Sequence, residues 1–279
     1  MKEQLAFNGM GVSLDEKIVE AVALLRTNEP PEGYYIAFSG GKDSVVIKHL
    51  AERAGVKFTA NYNDTTIDPP ELQRFIRKVH ADVLIHRPPR SFFQMVERKG
   101  LPTRIGRWCC EEFKESKGEG VLVFGVRAAE SFKRAKMWRE VTPWRGGGTV
   151  EKTAVCPIVY WTDDDVWLYI RREGIPYCSL YDEGWKRLGC IGCPMAGAKR
   201  RDEFTRWPKY EAAWRRATNR YYEGYVDRAT RSGNVRCTSR FRSGSEMFEW
   251  WMSDHPTSAD MDGECLGLFD AVDTEEADR

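Results

Sequence analysis

Over the first two thirds of the chain, short apolar runs alternate with stretches whose apolar residues recur at helical spacing. Ser13-Leu14-Asp15-Glu16 has the form of a capping box, and Ile18, Val22 and Leu25 give one apolar helical face that ends before Pro30-Pro31. Residues 34–38 are aromatic and branched and read as a buried strand. Val45, Val46, Ile47, Leu50, Ala51 and Ala54 follow as a helix, with Gly55 at its C-cap. Further strands are expected at 57–62, 83–86 and 121–126, with helices around 71–79 and 91–98, the second closed by Gly100. Gly146-Gly147-Gly148 reads as a flexible loop, 157–161 as a short strand or extended stretch, and Thr162 as the cap of a helix containing Val166, Leu168, Tyr169 and Ile170. This alternation predicts an α/β fold, a doubly wound parallel sheet with helices on both faces. Residues 1–198 are expected to form that domain, 199–258 a mostly helical appendage, and 259–279 an acidic, disordered tail.

The turn between the first strand and its helix is Ser39-Gly40-Gly41-Lys42-Asp43-Ser44. Two glycines let the backbone approach a ligand, successive N–H groups point into the turn, and the helix dipole favours negative charge. Ser39, Lys42 and Ser44 add hydroxyl and ammonium donors. An ordinary βα turn would need only the glycines, so the full string points to a phosphate site. It is not a Walker A loop, which requires four residues between its first glycine and the Gly-Lys pair. Asp64, Thr65 and residues 127–131 also fall at strand C-terminal ends, where open α/β sheets bind ligands, so these segments are expected to converge on one crevice.

Composition adds little and cysteine placement adds much. A net charge of +1 names no partner. No apolar run approaches the roughly 20 residues of a membrane span, and the first residues lack a signal-peptide core, so a cytoplasmic protein is expected. Residues 199–242 carry 13 Lys or Arg against 5 Asp or Glu, with aromatics interleaved. Phe204, Trp207, Tyr210 and Trp214 recur at helical spacing, which suits either a core-facing stripe with a basic back or a nucleic-acid surface. Of the eight cysteines, Cys109-Cys110 and Cys190-x-x-Cys193 form two tight pairs about 80 residues apart. Four thiolates so supplied suit a structural zinc or an iron–sulfur cluster, and the spacing alone does not choose.

The SGGKDS string resembles the PP-loop of the adenine-nucleotide alpha-hydrolase superfamily. Arg107-Trp108-Cys109-Cys110 with Lys114, Gly125-Val126-Arg127 with Glu130-Ser131 and Arg134, Asp165-Val166-Trp167, and Leu180-Tyr181-Asp182-Glu183-Gly184 through Gly189-Cys190-Ile191-Gly192-Cys193-Pro194 follow in the order seen in the phosphoadenosine phosphosulfate (PAPS) reductase family. The resemblance covers roughly residues 34–200. It implies that Cys109, Cys110, Cys190 and Cys193 ligate a [4Fe–4S] cluster beside the nucleotide site. It also implies that Lys114, Arg127 and Arg134 face phosphate or sulfate. Adenylyl-sulfate reductases of this family carry a C-terminal Glu-Cys-Gly-Leu-His motif whose cysteine attacks sulfur. Here Gly263-Glu264-Cys265-Leu266-Gly267-Leu268 is similar in position but not the same motif, and Cys265 is the candidate nucleophile. Lys114 and Cys265 would form the reacting set.

Three functions follow from this resemblance. The first is reduction of PAPS or adenylyl sulfate (APS) to sulfite, with a thioredoxin-like electron donor. The second is an ATP-dependent sulfurtransferase similar to DNA phosphorothioation enzymes, with nucleic acid held by residues 199–242. The third is a redox-sensing iron–sulfur module. A homodimer is compatible with the sequence.

Overall fold

The computed structural model describes residues 11–115, 118, 120–144, 152–232 and 241–253. Its strands are β1 (Tyr34–Ala37), β2 (Phe58–Asn63), β3 (Leu84–His86), β4 (Val121–Val123), β5 (Val141–Trp144) and β6 (Lys152–Val155). They form one six-stranded sheet in the order β3-β2-β1-β4-β6-β5. Every neighbouring pair is parallel except β5 with β6. The expected α/β class with a mostly parallel sheet and flanking helices is therefore present, and an antiparallel edge strand is added to it.

α1 (Leu14–Thr27) starts at Ser13 with the capping box expected, and α2 (Lys42–Ala54) ends at Gly55, which takes the left-handed conformation at φ 69°. α3 (Pro70–Val79) and α4 (Phe92–Lys99) follow, the latter opened by a second capping box at Ser91. Trp108–Cys110 form the short helix α5, and Phe132–Met137 form α6. α7 (Asp163–Arg172) is capped by Thr162, whose side chain accepts from the Asp165 N–H. The C-terminal part is helical: α8 (Lys199–Arg206), α9 (Pro208–Ser232) and α10 (Gly244–Met252). Along β1, Tyr34 and Ile36 are fully buried on one face, where the Tyr34 hydroxyl donates to the Leu25 carbonyl of α1 at 2.7 Å. Tyr35 and Ala37 on the other face are only half-buried.

Three local expectations change. Residues 157–160 are a turn, not a strand, because the extended segment lies earlier, at β6. The strand expected at 121–126 stops at Val123, after which the chain turns toward Arg127. The β5–β6 pairing was not foreseen because neither segment alternates clearly. Pro143 sits in β5, where an edge strand tolerates a residue that cannot donate to the ladder. The Gly146–148 loop and the tail from residue 259 lie outside the described residues.

The chain forms two compact units. The first draws on Met1–Asp64, Asp68–Arg87 and Phe113–Gly189 and holds the sheet. The second draws on Thr65–Ile67, Pro88–Glu112 and Cys190–Arg279. Its core is aromatic. Trp214 of α9 is fully buried, stacks on Trp251 at 4.7 Å and meets Phe92 edge-on at 5.0 Å. Phe204, Trp207, Tyr221 and Phe241 are buried as well. The aromatics of residues 199–242 are thus largely core, and these rings are not exposed for stacking on bases.

Candidate nucleotide site and cysteine turn

The SGGKDS turn lies where β1 ends and α2 begins. Gly40 has φ +74°, and a Cβ there would come within 2.8 Å of Leu72 and Ile76 side-chain atoms, so both backbone and packing demand glycine. Gly41 is the N-cap of α2 and supplies no side-chain cap, which leaves the first turn of the helix served from elsewhere. The Lys42 N–H donates to the Tyr181 hydroxyl at 2.9 Å, and the Ser44 hydroxyl donates to the Gly41 carbonyl at 2.8 Å. Burial raises the Tyr181 pKa, so this phenol stays neutral and able to donate onward.

Lys42 and Arg127 are buried cations held by acids at the same turn. The Lys42 ammonium lies 3.1 Å from Asp163 Oδ1 and donates to the Lys186 carbonyl at 3.2 Å. The Arg127 guanidinium donates to Asp43 at 2.7 Å and to Asp163 at 2.9 Å. Burial alone would raise the Asp163 pKa, but Lys42 and Arg127 together hold it below the usual carboxylate range. Asp163 is the position that pattern reading missed. Its only signal is the Asp163-Asp164-Asp165 run at the start of α7, which also suits the helix dipole. Gly125, just past β4, allows this approach, since a Cβ there would sit 3.1 Å from the Asp43 backbone. Arg134 pairs with Glu130, and burial together with the neighbouring Arg187 lowers its pKa, so positive charge gathers on this side of the turn.

Beside the loop, a pocket of about 210 Å³ opens between the C-terminal ends of β1, β2 and β4. The strand order reverses between β1 and β4, so this is the switch-point crevice at which open α/β sheets bind ligands. Phe38, Leu72, Leu122, Phe124 and Trp144 give it apolar walls, and Ser39, Asn61, Asn63, Asp68 and Lys114 place polar groups among them. Among the described residues, the buried Tyr35 hydroxyl and Asn63 side-chain oxygen meet no partner at full hydrogen-bonding geometry, although the two side chains are neighbours. Gln73 donates to Asp64 at 3.5 Å, and Arg77 lies 4.0 Å from it. Thr65 belongs to the second unit, and its hydroxyl accepts from the Cys190 thiol at 3.6 Å.

All four paired cysteines fall in the second unit. The Cys190–Cys193 turn is built firmly. The Ile191 N–H donates to the Ile67 carbonyl at 2.9 Å, the Trp214 indole to the Ile191 carbonyl at 3.1 Å, and the Gly192 N–H to Glu203 at 2.7 Å. Gly192 has φ +79°, and a Cβ there would meet the Trp214 indole nitrogen at 2.6 Å. The Cys109 thiol is pushed well above its usual range by the hydrogen bond with Cys110, then by burial, and then by charge on Cys110, Cys190 and Cys193. The four sulfurs therefore share one electrostatic neighbourhood. Among the described residues no three His, Cys, Asp or Glu side chains are gathered tightly enough for a single metal ion. Cys156 and Cys178 are buried, and burial raises the Cys156 pKa to about 12, which makes it inert. Cys265 lies outside the described residues.

Known proteins resemble part of this chain. An uncharacterised protein of Methanocaldococcus jannaschii is 32% identical over 203 residues, covering 67% of this chain and 42% of its own length. A probable FAD synthase of Caenorhabditis briggsae is 30% identical over 182 residues, or 62% of this chain and 32% of that protein. The adenosine 5'-phosphosulfate reductase of Allochromatium vinosum is 28% identical over 178 residues, or 57% of this chain and 67% of the relative. The chain spans only about two fifths of the length of the first of these. The crystal structure of the PAPS reductase of Candida auris superposes with a TM-score of 0.48 at 18% identity, covering 67% of this chain and 99% of that one. The profile of the phosphoadenosine phosphosulfate reductase domain matches residues 33–196, and the chain belongs to that family.

Proposed function

We propose that this protein is an enzyme that binds an adenylyl nucleotide in the switch-point pocket and acts on the anhydride held over the SGGKDS turn. The observation that carries the reading is the pairing of a helix start whose N-cap, Gly41, offers no side chain, with two buried cations beside it, and a largely apolar pocket at the switch point. The base lies against Phe38, Phe124 and Trp144. The phosphates lie on the Gly40–Ser44 backbone, with Lys42, Lys114, Arg127 and Arg134 as the cations that neutralise them.

The favoured reaction is reduction of PAPS or APS to sulfite. A thiolate, for which Cys265 is the candidate, attacks the sulfate sulfur. The S–O bond to the phosphate breaks, and the nucleotide leaves with the bonding electrons. A dithiol protein of the thioredoxin class then attacks the resulting thiosulfonate, releases sulfite and becomes a disulfide. Cys109, Cys110, Cys190 and Cys193 are the residues that would hold a [4Fe–4S] cluster, supported by their shared neighbourhood in the second unit. When bound, such a cluster supplies a redox-active, charged centre.

A second reading has its own support in the intact SGGKDS loop and the FAD-synthase-like relatives. Here an acceptor oxygen attacks the α-phosphorus of ATP and pyrophosphate leaves. With a nucleic-acid acceptor this would be the first half of a thiolation. One experiment separates the two. Protein reconstituted anaerobically with iron and sulfide is assayed for sulfite from PAPS and APS with thioredoxin, and for pyrophosphate from ATP. Sulfite that vanishes in Cys265→Ser is the expected outcome. Pyrophosphate without sulfite would replace the first reading by the second, and failure to bind either nucleotide would overturn both.

A further inference from the structure

We infer that the α6–β5 segment, residues 131–144, is a docking surface for single-stranded nucleic acid. Helical segments normally bury their aromatics, yet Phe132 is 87% exposed and Met137 is 57% exposed. Residues 131–139 carry Lys133, Arg134, Lys136 and Arg139 and no acid. Among the described residues Lys133, Lys136 and Arg139 enter no ion pair, while the flanking Glu130 is held by Arg134 and Glu140 is exposed.

The segment is rigid where rigidity helps. Ser131 caps α6 by accepting from the Arg134 N–H at 3.2 Å. The Arg139 guanidinium folds back onto the Ala135 and Trp138 carbonyls at 2.9 and 2.7 Å, and Thr142 closes the turn into β5 by accepting from the Arg139 N–H at 3.0 Å. Trp138 anchors the segment inward, against Phe124 at 5.9 Å and Trp144 at 5.3 Å. With Trp138 supplying the packing, Phe132 is left exposed among cations. That arrangement of a π-face with lysines and an arginine is what a single strand needs: a base stacks on the ring and adjacent phosphates meet the charges. Neutral or basic partners gain nothing from its charge. The segment is distinct in sequence from the aromatic stripe of α8 and α9, whose rings are largely buried, and the proposal does not depend on which reaction the pocket performs.

The test is fluorescence anisotropy of a labelled oligothymidylate with the full chain, starting at about 50 mM salt. Binding is expected to weaken with salt, with a log–log slope near −2 if about three phosphates are neutralised. Phe132→Ala should weaken it about tenfold, and Lys133→Glu with Lys136→Glu should abolish it. Thermal stability should not move in either variant, because the substituted side chains are exposed. No binding by the wild type, or equal binding by wild type and variants, would overturn the proposal. So would binding of anionic-lipid vesicles that depends on Phe132 and the lysines when the oligonucleotide does not bind, since the surface would then be a lipid-binding one.

Discussion

At the level of single residues, the two glycines of the turn have separable duties. Gly40 is required by the fold: its φ is +74°, and the space for a Cβ is already filled by Leu72 and Ile76 at 2.8 Å. Gly41 has φ −76°, and an added Cβ would meet only Ser39 and Tyr181 oxygens at 3.4 Å, an ordinary contact. Gly40→Ala should therefore cost about 2–4 kcal/mol, the sum of a strained backbone and an overfilled core. Gly41→Ala should stay within about 1 kcal/mol of wild type while weakening nucleotide binding, because its methyl group intrudes where the phosphate would sit. Chemical denaturation and titration with ATP would check the pair. Equal stability of the two variants would mean that the turn relaxes around Gly40, and unaltered affinity in Gly41→Ala would move the phosphate elsewhere.

Secondary-structure elements with strong punctuation were legible in the sequence, and those without it were not. α1, α2, α4 and α7 start or stop within a residue or two of the positions that Ser13, Gly55, Ser91 and Thr162 marked, because each cap satisfies backbone groups locally. β5 and β6 went unseen because their pairing depends on a partner strand and not on alternation within either one. The same holds for Asp163: its partners Lys42 and Arg127 are far away in sequence, and only the fold brings three charges to one oxygen. In the C-terminal helices the spacing of Phe204, Trp207 and Trp214 suited either a core face or a nucleic-acid surface, and their burial places them in the core. Trp214→Ala should cost about 3–5 kcal/mol by emptying that core, and it also removes the donor to the Ile191 carbonyl beneath the cysteine turn. Trp214→Phe should keep most of the packing and lose only the hydrogen bond. If both variants melt alike, the indole N–H and not the ring volume would be what holds α9 to that turn.

Across the whole molecule, charge is balanced in sum but not in place, and this sets how stability responds to pH. Glu203 sits beneath the Gly192 N–H, and burial raises its pKa to about 7 despite that hydrogen bond. A carboxyl that holds its proton more tightly when folded than when unfolded stabilises the fold at low pH and loses that contribution as pH rises. For Glu203 the loss runs from its unfolded pKa near 4.5 up to about 7. His80, in the sheet-bearing unit, works in the opposite sense. Burial, then the nearby Lys48, lowers its pKa below 6.5, so its contribution falls as pH drops through that value. Asp163 and Asp165, both lowered, matter only near and below their unfolded pKa of 3.8. Wild type alone would therefore show a muted slope between pH 5 and pH 7, being the sum of two opposed groups. The informative quantity is the difference between wild type and Glu203→Gln, which keeps an acceptor for the Gly192 N–H and cannot ionise. That difference should change with pH in this window, wild type gaining on the variant as pH falls. Melting curves at half-unit pH steps would read it. A constant difference would mean that Glu203 titrates at its ordinary value and that the cysteine turn rests on a charged carboxylate at neutral pH. A difference that grows on acidification would mean that the same carboxyl takes up its proton near neutral pH, so the turn carrying Cys190 and Cys193 would be held more tightly in mild acid than in mild base.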